Sequence, residues 1–339
     1  MKRILATLPL LFIAAEVTAQ SPADRAISAV QGANTRTKST TLLKRAITEQ
    51  VAPELFPGEL DDVGPQFLLM PTQGVAATKH QWFEAFVDTQ LYYTSNALLT
   101  EKGNRDTSLM VTTIQAAVNF PTFDLLGKQV AAKAGYRHQW WLYSLNDSGS
   151  ALKNASGSEL NFFDFAVSTF FLQARHTFGE NWTTGVGLDH NRLLSREDEW
   201  AEFYTELVPS WFVERNFNFG EKAALTAGLY GAYHWTHTDD IVAHINDRLD
   251  TSFGITYSYE LAPGLVAQPY YRIQWSHYTE NSDRNDMYNS LGFGLSYALG
   301  EAASVRAFVG YENRNSTDTL VADYGKWDSG AGLTLSVKF

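Results

Sequence analysis

The sequence predicts an all-β fold: a twelve-stranded antiparallel transmembrane β-barrel with a short N-terminal periplasmic segment. Three observations lead there. At the end of the chain Leu333, Leu335, Val337 and Phe339 alternate with Thr334, Ser336 and Lys338. Period two places these two sets on opposite faces of a strand. Residues 80–339 consist of strand-like runs whose connections alternate between short and long. No later segment offers the near-continuous apolar stretch of about 20 residues that a transmembrane helix needs.

The first element reads as a secretory signal, residues 1–19. Lys2 and Arg3 precede an apolar stretch over residues 4–15, and Val17-Thr18-Ala19 supplies small residues before a cut ahead of Gln20. That stretch has the length of a signal core and is too short to span a bilayer as a helix. A buried N-terminal helix is the competing reading. Residues 20–79 form the periplasmic segment, partly helical or irregular. Ser39 is placed to cap a short helix whose Leu43, Ala46, Ile47 and Gln50 share a face. Pro53, Pro57, Gly58, Pro65 and Pro71 then break regular structure. This segment either docks at or enters the barrel mouth, or is a mobile leader.

Twelve runs follow, beginning near residues 81, 109, 129, 161, 182, 203, 223, 250, 265, 288, 303 and 329. Each is long enough to cross a bilayer as a tilted strand, which takes about 9 to 11 residues. Asp124-Leu125-Leu126-Gly127-Lys128 and Ala262-Pro263-Gly264 are short turns. So are three connections with a shared start, Phe178-Gly179-Glu180, Phe219-Gly220-Glu221 and Leu299-Gly300-Glu301. The long connections lie near residues 97–108, 147–160, 195–202, 239–248, 280–286 and 316–327 and are mostly polar. Tight turns on one side and long polar loops on the other is the membrane-barrel pattern. An even strand number brings both ends of the barrel chain to the short-turn, periplasmic side. A β-propeller repeats at a similar period but packs four short strands into it, where this chain has two long ones.

The faces of several strands are legible. Leu291, Phe293, Leu295, Tyr297 and Leu299 oppose only Gly, Ser and Ala. Leu225, Leu229, Tyr233 and Trp235 oppose Thr226, Gly228, His234 and Thr236, and Phe253, Ile255, Tyr257 and Tyr259 oppose Gly254, Thr256, Ser258 and Glu260. A soluble sandwich would carry more Lys and Glu on its second face. Residues 162–178 are apolar on both faces, so this fourth run faces the leader or carries a bulge.

The membrane-interface aromatics are expected to include Trp82, Tyr93, Trp140, Trp182, Trp235, Trp275 and Phe339, because Trp and Tyr favour the membrane–water boundary. Trp211 falls nearer mid-strand, towards lipid tails. Charges on the lipid face cost about 2 to 4 kcal/mol for Lys or Arg at mid-depth. The charged residues of the strands are therefore placed on the lumen: Glu84, Asp88, Lys133, Arg137, Asp164, Asp189, Glu206, Glu214, Glu260, Arg272, Arg306, Glu312 and Lys338. Both signs occur with acids in excess, which suits a wet, weakly cation-preferring pore or an interior that pairs with itself.

Other chemistry is poorly supported. The chain has no cysteine, which removes disulfides, thiolate metal sites and Cys nucleophiles. Its net charge of −11 argues against nucleic-acid binding. The nearest hydrolytic constellation is Asp189-His190-Asn191 followed by Ser195, yet His190 phases towards lipid if Val186 and Leu188 do. His234 and His237 fall on opposite faces. Asn281-Ser282-Asp283-Arg284-Asn285-Asp286 offers oxygen ligands but lacks the Gly and terminal Glu of a helix-loop-helix calcium site. No catalytic residue, metal or cofactor is expected.

The strand ending on Phe339, the signal and the loop alternation together resemble Gram-negative outer-membrane β-barrels over residues 80–339. Tyr92-Tyr93-Thr94-Ser95-Asn96-Ala97-Leu98-Leu99-Thr100 resembles the Ser-Asn-x-x-Leu-Thr strand ending of certain barrel porins, some linked with exopolysaccharide export. The resemblance implies location in the outer membrane and contact with its lipid. It also implies recognition by the barrel-assembly machinery through the strand ending in Phe339. The expected role is a porin-like channel for passive diffusion of small hydrophilic solutes. The alternatives are a structural or export-partner barrel with a filled lumen, whose residues 20–79 bind a periplasmic partner, and a lipid-modifying barrel enzyme.

Overall fold

The computed structural model describes residues 82–338 except for positions 98, 100, 102–105, 144–163, 180, 197–198, 221, 239–243, 245, 281–283, 301 and 320. The predicted signal, the segment 20–79 and Phe339 lie outside the described residues, as does part of the oxygen-rich loop at 281–283.

Twelve strands follow one another: β1 Phe83–Thr94, β2 Thr107–Leu125, β3 Lys128–Leu142, β4 Phe165–Phe178, β5 Trp182–Ser195 and β6 Ala201–Phe219. Then come β7 Ala223–Thr238, β8 Arg248–Ala262, β9 Leu265–Tyr278, β10 Asn285–Ala298, β11 Ala303–Ser316 and β12 Tyr324–Lys338. Each pairs antiparallel with its neighbours in sequence, and β1 pairs with β12 to close the barrel. Closure matters because no strand edge is left with unpaired N–H and C=O groups, which hydrocarbon does not tolerate.

The short turns are built from backbone that bends left-handed. Leu126 (φ 54°) and Gly127 (φ 75°) form the two-residue β2–β3 hairpin, and Asp124 Oδ1 accepts the Gly127 N–H at 2.9 Å. Positive φ at both positions matches the twist of the strands it joins. Gly179 (φ 60°) and Gly220 (φ 67°) open two further turns, which explains the recurring glycine after Phe178 and Phe219.

The outer wall is apolar. Phe170, Leu172, Val186, Leu188, Leu229, Leu291, Phe293 and Leu335 are among its exposed side chains. The phases of Leu229, Leu291, Phe293 and Leu335 agree with the faces read from the sequence. Such a surface is stable only against lipid.

Several starts differ from expectation. β12 begins at Tyr324 and β10 at Asn285, several residues before the expected 329 and 288, while β4 begins later, at Phe165. The early residues of β12 are polar or small on the inward face, and polarity there reads as a loop. The fourth strand carries no bulge, since its pairing with β3 and β5 runs without a register shift. The half that begins at Phe165 is buried on both faces: inward, Phe165 and Val167 join an apolar cluster with Leu109, Val111, Trp141, Tyr143, Leu193 and Tyr204, and outward, Ser168 lies against Tyr136 and His138. Shifts occur instead at Phe120/Phe123, beside Pro121, at Leu193/Leu194 and at Glu260/Ala262. Proline lacks the N–H that a ladder needs.

Candidate functional site

The barrel interior is the candidate site. Of the charged residues assigned to it from sequence, Glu84, Asp88, Lys133, Arg137, Asp164, Asp189, Glu206, Glu214, Arg306 and Glu312 are buried. Glu260 and Arg272 are half-buried. Lys338 lies opposite Glu84 in the β1–β12 register, and its side chain is outside the described residues.

In the half nearer the short turns, the structure joins several of these residues. Lys133 Nζ lies 2.6 Å from Glu84 Oε1. Arg306 meets Asp88 with both guanidinium Nη atoms, and the Thr334 hydroxyl donates to Asp88 Oδ1 at 2.6 Å. Lys133 and Arg137 both lie 5.6 Å from the Phe171 ring centroid. Tyr230 donates to Glu214. Paired charges of this kind suffer less from burial than isolated ones.

Towards the long-loop rim a hydrogen-bonded arc crosses five strands. Thr169 donates to Asn191 at 2.7 Å, and Asn191 donates to Glu206 at 2.9 Å. Glu206 also accepts from Tyr204 at 2.9 Å and lies 2.9 Å from His234 Nδ1. His234 Nε2 lies 3.2 Å from Asp250, which pairs with Arg248 at 3.3 Å. A second group continues the rim over β9–β12. The Arg284 guanidinium stacks 3.9 Å from the Tyr278 centroid and bonds Asp286 at 2.8 Å. Arg314 stacks 4.9 Å from Tyr324, whose hydroxyl donates to Glu312 at 2.9 Å, and Lys326 lies 3.3 Å from Glu312. The rim is therefore uneven. The apolar cluster around Trp141 is drawn mostly from β2–β5, with Tyr204 of β6 and Phe308 of β11, while these ionic groups lie over β6–β12 and the Asp164–Arg196 pair, at 2.6 Å, lies at the β4–β5 end.

Sequence reasoning missed nine of the buried charged side chains: Arg175, Asp247, Arg248, Asp250, Arg284, Asp286, Arg314, Lys326 and Asp328. Most stand at strand starts that were read as loop. Five of the nine are basic, so both signs are well represented on the interior wall and the acid excess is a smaller share of its charge than the sequence suggested. The detectable signal was the spacing of Lys326 and Asp328 with Gly330, Gly332 and Thr334, one inward face of an earlier-starting β12.

The interior glycines have a specific use. A Cβ at Gly292 or Gly310 would collide with the Tyr270 side chain, and one at Gly332 would lie 2.9 Å from the Arg306 guanidinium. These glycines lie under large inward-pointing side chains and let them lie flat on the wall.

Trp82, Tyr93, Trp182, Trp211, Trp235 and Trp275 are exposed on the outer wall, and Trp140 is half-exposed. Arg215 packs its guanidinium 5.1 Å from the Trp182 centroid, near the short-turn rim. His190 points outward while Asp189 and Asn191 point inward, so the sequence triplet is split between two compartments. Ser195 lies at the end of β5, away from His190.

No protein-family model matches the chain, and no curated protein does. Solved structures resemble it at fold level. The β domain of the Bordetella autotransporter BrkA is 13% identical, over 76% of this chain and 100% of that one, with a TM-score of 0.43. An outer-membrane channel from Pseudomonas putida is 12% identical, over 77% and 97%, with a TM-score of 0.48. The KdgM porin is 8% identical, over 74% and 98%, with a TM-score of 0.39. The closed twelve-strand antiparallel sheet, the apolar outer wall and the tight turns on one rim are properties of this chain itself. They make it a transmembrane β-barrel.

Proposed function

We propose that the barrel is a channel for passive diffusion of small hydrophilic solutes. The observation that carries this reading is the inner wall. It presents ionic and amide side chains along the barrel's length, while the outer wall presents lipid-compatible ones. Twelve strands lie between the eight that side chains can fill and the sixteen or more of wide aqueous pores. The presence of both signs in similar number on the inner wall supports weak ion selectivity. Selectivity is then set locally, by the pairs at Lys133–Glu84 and Arg306–Asp88 and by the ionic half of the long-loop rim.

The tightness of those pairs favours a second reading, a barrel with a filled lumen that serves a structural or export-partner role. Planar-bilayer recording of the purified protein separates the two. Stable conductance steps with a small reversal potential in a salt gradient support the channel. Silence from a folded, heat-modifiable sample supports the filled barrel. Deleting residues 20–79 and testing for a periplasmic partner is the next step in that case.

A further inference from the structure

The outer wall of β3 and β4 carries a polar group that the lumen does not explain. Tyr136, His138 and Ser168 share the lipid-facing side of these strands. On the same face Phe170 and Leu172 lie towards the short turns, and Trp140 lies towards the long-loop rim. Polar side chains placed among apolar ones against lipid are costly unless they satisfy each other or serve a purpose.

Their geometry is specific. His138 and Ser168 are direct partners in the β3–β4 register. His138 Nδ1 lies 2.8 Å from Ser168 Oγ. The Tyr136 hydroxyl donates to Ser168 Oγ at 3.2 Å and lies 3.2 Å from His138 Nδ1. The Nδ1–Oγ contact is the one in which an Nε2–H imidazole accepts the serine's hydrogen. The Trp140 ring, 4.3 Å from the imidazole edge-on, holds its plane. Ser168 is 7% exposed, and the phenol and imidazole beside it are open to the bilayer side. A hydroxyl and a base within reach of its proton are the parts of an acyl-transfer centre, and the Tyr136 hydroxyl, which donates to Oγ in the resting structure, is near enough to turn to an oxyanion formed beside it.

We propose that Ser168, His138 and Tyr136 form a lipid-facing site that hydrolyses acyl esters of outer-leaflet lipids. Ser168 Oγ attacks the ester carbonyl carbon, and its proton passes to His138 Nδ1. The Tyr136 hydroxyl donates to the oxyanion. The tetrahedral intermediate collapses by breaking the ester bond to the alcohol portion, which leaves with the proton from His138. Water then attacks the acyl-serine with His138 as base, freeing the fatty acid and restoring the serine. The proposal stands apart from the channel reading, because these residues face away from the lumen.

The test uses the full chain refolded in detergent and checked for heat modifiability. It is incubated separately with phosphatidylethanolamine and with lipid A, and separately with a fluorophosphonate probe. The expected result is a probe adduct at Ser168 and fatty-acid release from one of the two lipids, which identifies the source of the ester. Ser168→Ala abolishes both. His138→Asn lowers the rate about 10²- to 10⁴-fold, the usual contribution of a general base. Tyr136→Phe lowers it about 10²-fold or more, the usual contribution of an oxyanion donor. Folded wild-type protein that releases no fatty acid from either lipid and takes no probe at Ser168 overturns the proposal. Bilayer conductance of Ser168→Ala stays at the wild-type value, so failure of the channel reading is scored separately.

Discussion

Arg306 on β11 reaches over β12 to Asp88 on β1, and its two terminal nitrogens lie 2.8 and 2.7 Å from the two carboxylate oxygens. The pair spans the seam where the first and last strands close the barrel. Bidentate guanidinium–carboxylate contacts are strong and directional. Removing one partner leaves a buried charge uncompensated. Arg306→Ala is therefore expected to destabilise the barrel by about 3 to 5 kcal/mol. Denaturant titration in detergent micelles measures this. The double change Asp88→Asn with Arg306→Met is expected to cost less than either single change, and an additive loss would contradict the assignment.

Gly332 is the position on β12 that the guanidinium crosses. A large side chain there displaces Arg306. Gly332→Leu is expected to lose about as much stability as Arg306→Ala, and the two changes together little more than one. A thermodynamic cycle on the three variants checks it. Full additivity would mean that the glycine serves the backbone alone.

Leu126 holds a left-handed conformation while 93% exposed. An L-residue with a Cβ incurs about 1 to 2 kcal/mol in that region, and Asn or Gly incurs less. Leu126→Asn is expected to raise stability by roughly 0.5 to 1 kcal/mol, because Asn-Gly suits this hairpin better than Leu-Gly. Gly127→Ala should lower stability. Unfolding midpoints of the two variants give the sign directly.

Val186 lies on the outer wall of β5, 60% exposed among Leu172, Leu188 and Trp211. An arginine there meets hydrocarbon. Val186→Arg is expected to cost about 2 to 4 kcal/mol. A loss under 1 kcal/mol, in the same assay, would place this position at the interface rather than in the membrane.

Arg314 lies among Glu312, Tyr324 and Lys326 on the ionic side of the rim. If solutes pass this rim, neutralising one cation increases the preference for cations. Arg314→Gln is expected to move the reversal potential in the cation-selective direction under a fixed salt gradient. An unchanged potential in a conducting variant would place the selective region elsewhere.

The fold was legible because two physical signals overlap in this chain. Alternation in residues such as 291–299 separates a lipid face from a face of Gly, Ser and Ala. Turn chemistry at Gly179 and Gly220 marks where strands must reverse. The strand starts on the long-loop side were less legible. Arg248, Asp286 and Lys326 are charged, and sequence alone does not distinguish a charge on a polar inner wall from a charge in a solvated loop. Tyr136, His138 and Ser168 were hidden for a different reason. Residues 138 and 168 are thirty positions apart, and only the register of β3 on β4 brings them together. Strand four gave no phase to predict that register, because Phe165 and Val167 fill its inward face with the same residue types that its outer face shows to lipid.

The contrast between the two rims bears on what the chain will accept as cargo of a different kind. A two-residue turn such as Leu126-Gly127 has no slack, and an added peptide there would force β2 and β3 out of register. The connection between Tyr278 and Asn285 joins strands whose pairing is already fixed below it, from His277 opposite Asn285 down to Leu265 opposite Tyr297. Sequence spliced into that connection changes no ladder bond. Connections outside the strand pairing are where insertions are best tolerated. The barrel thus has one face fit for displaying foreign epitopes and one that is closed to them.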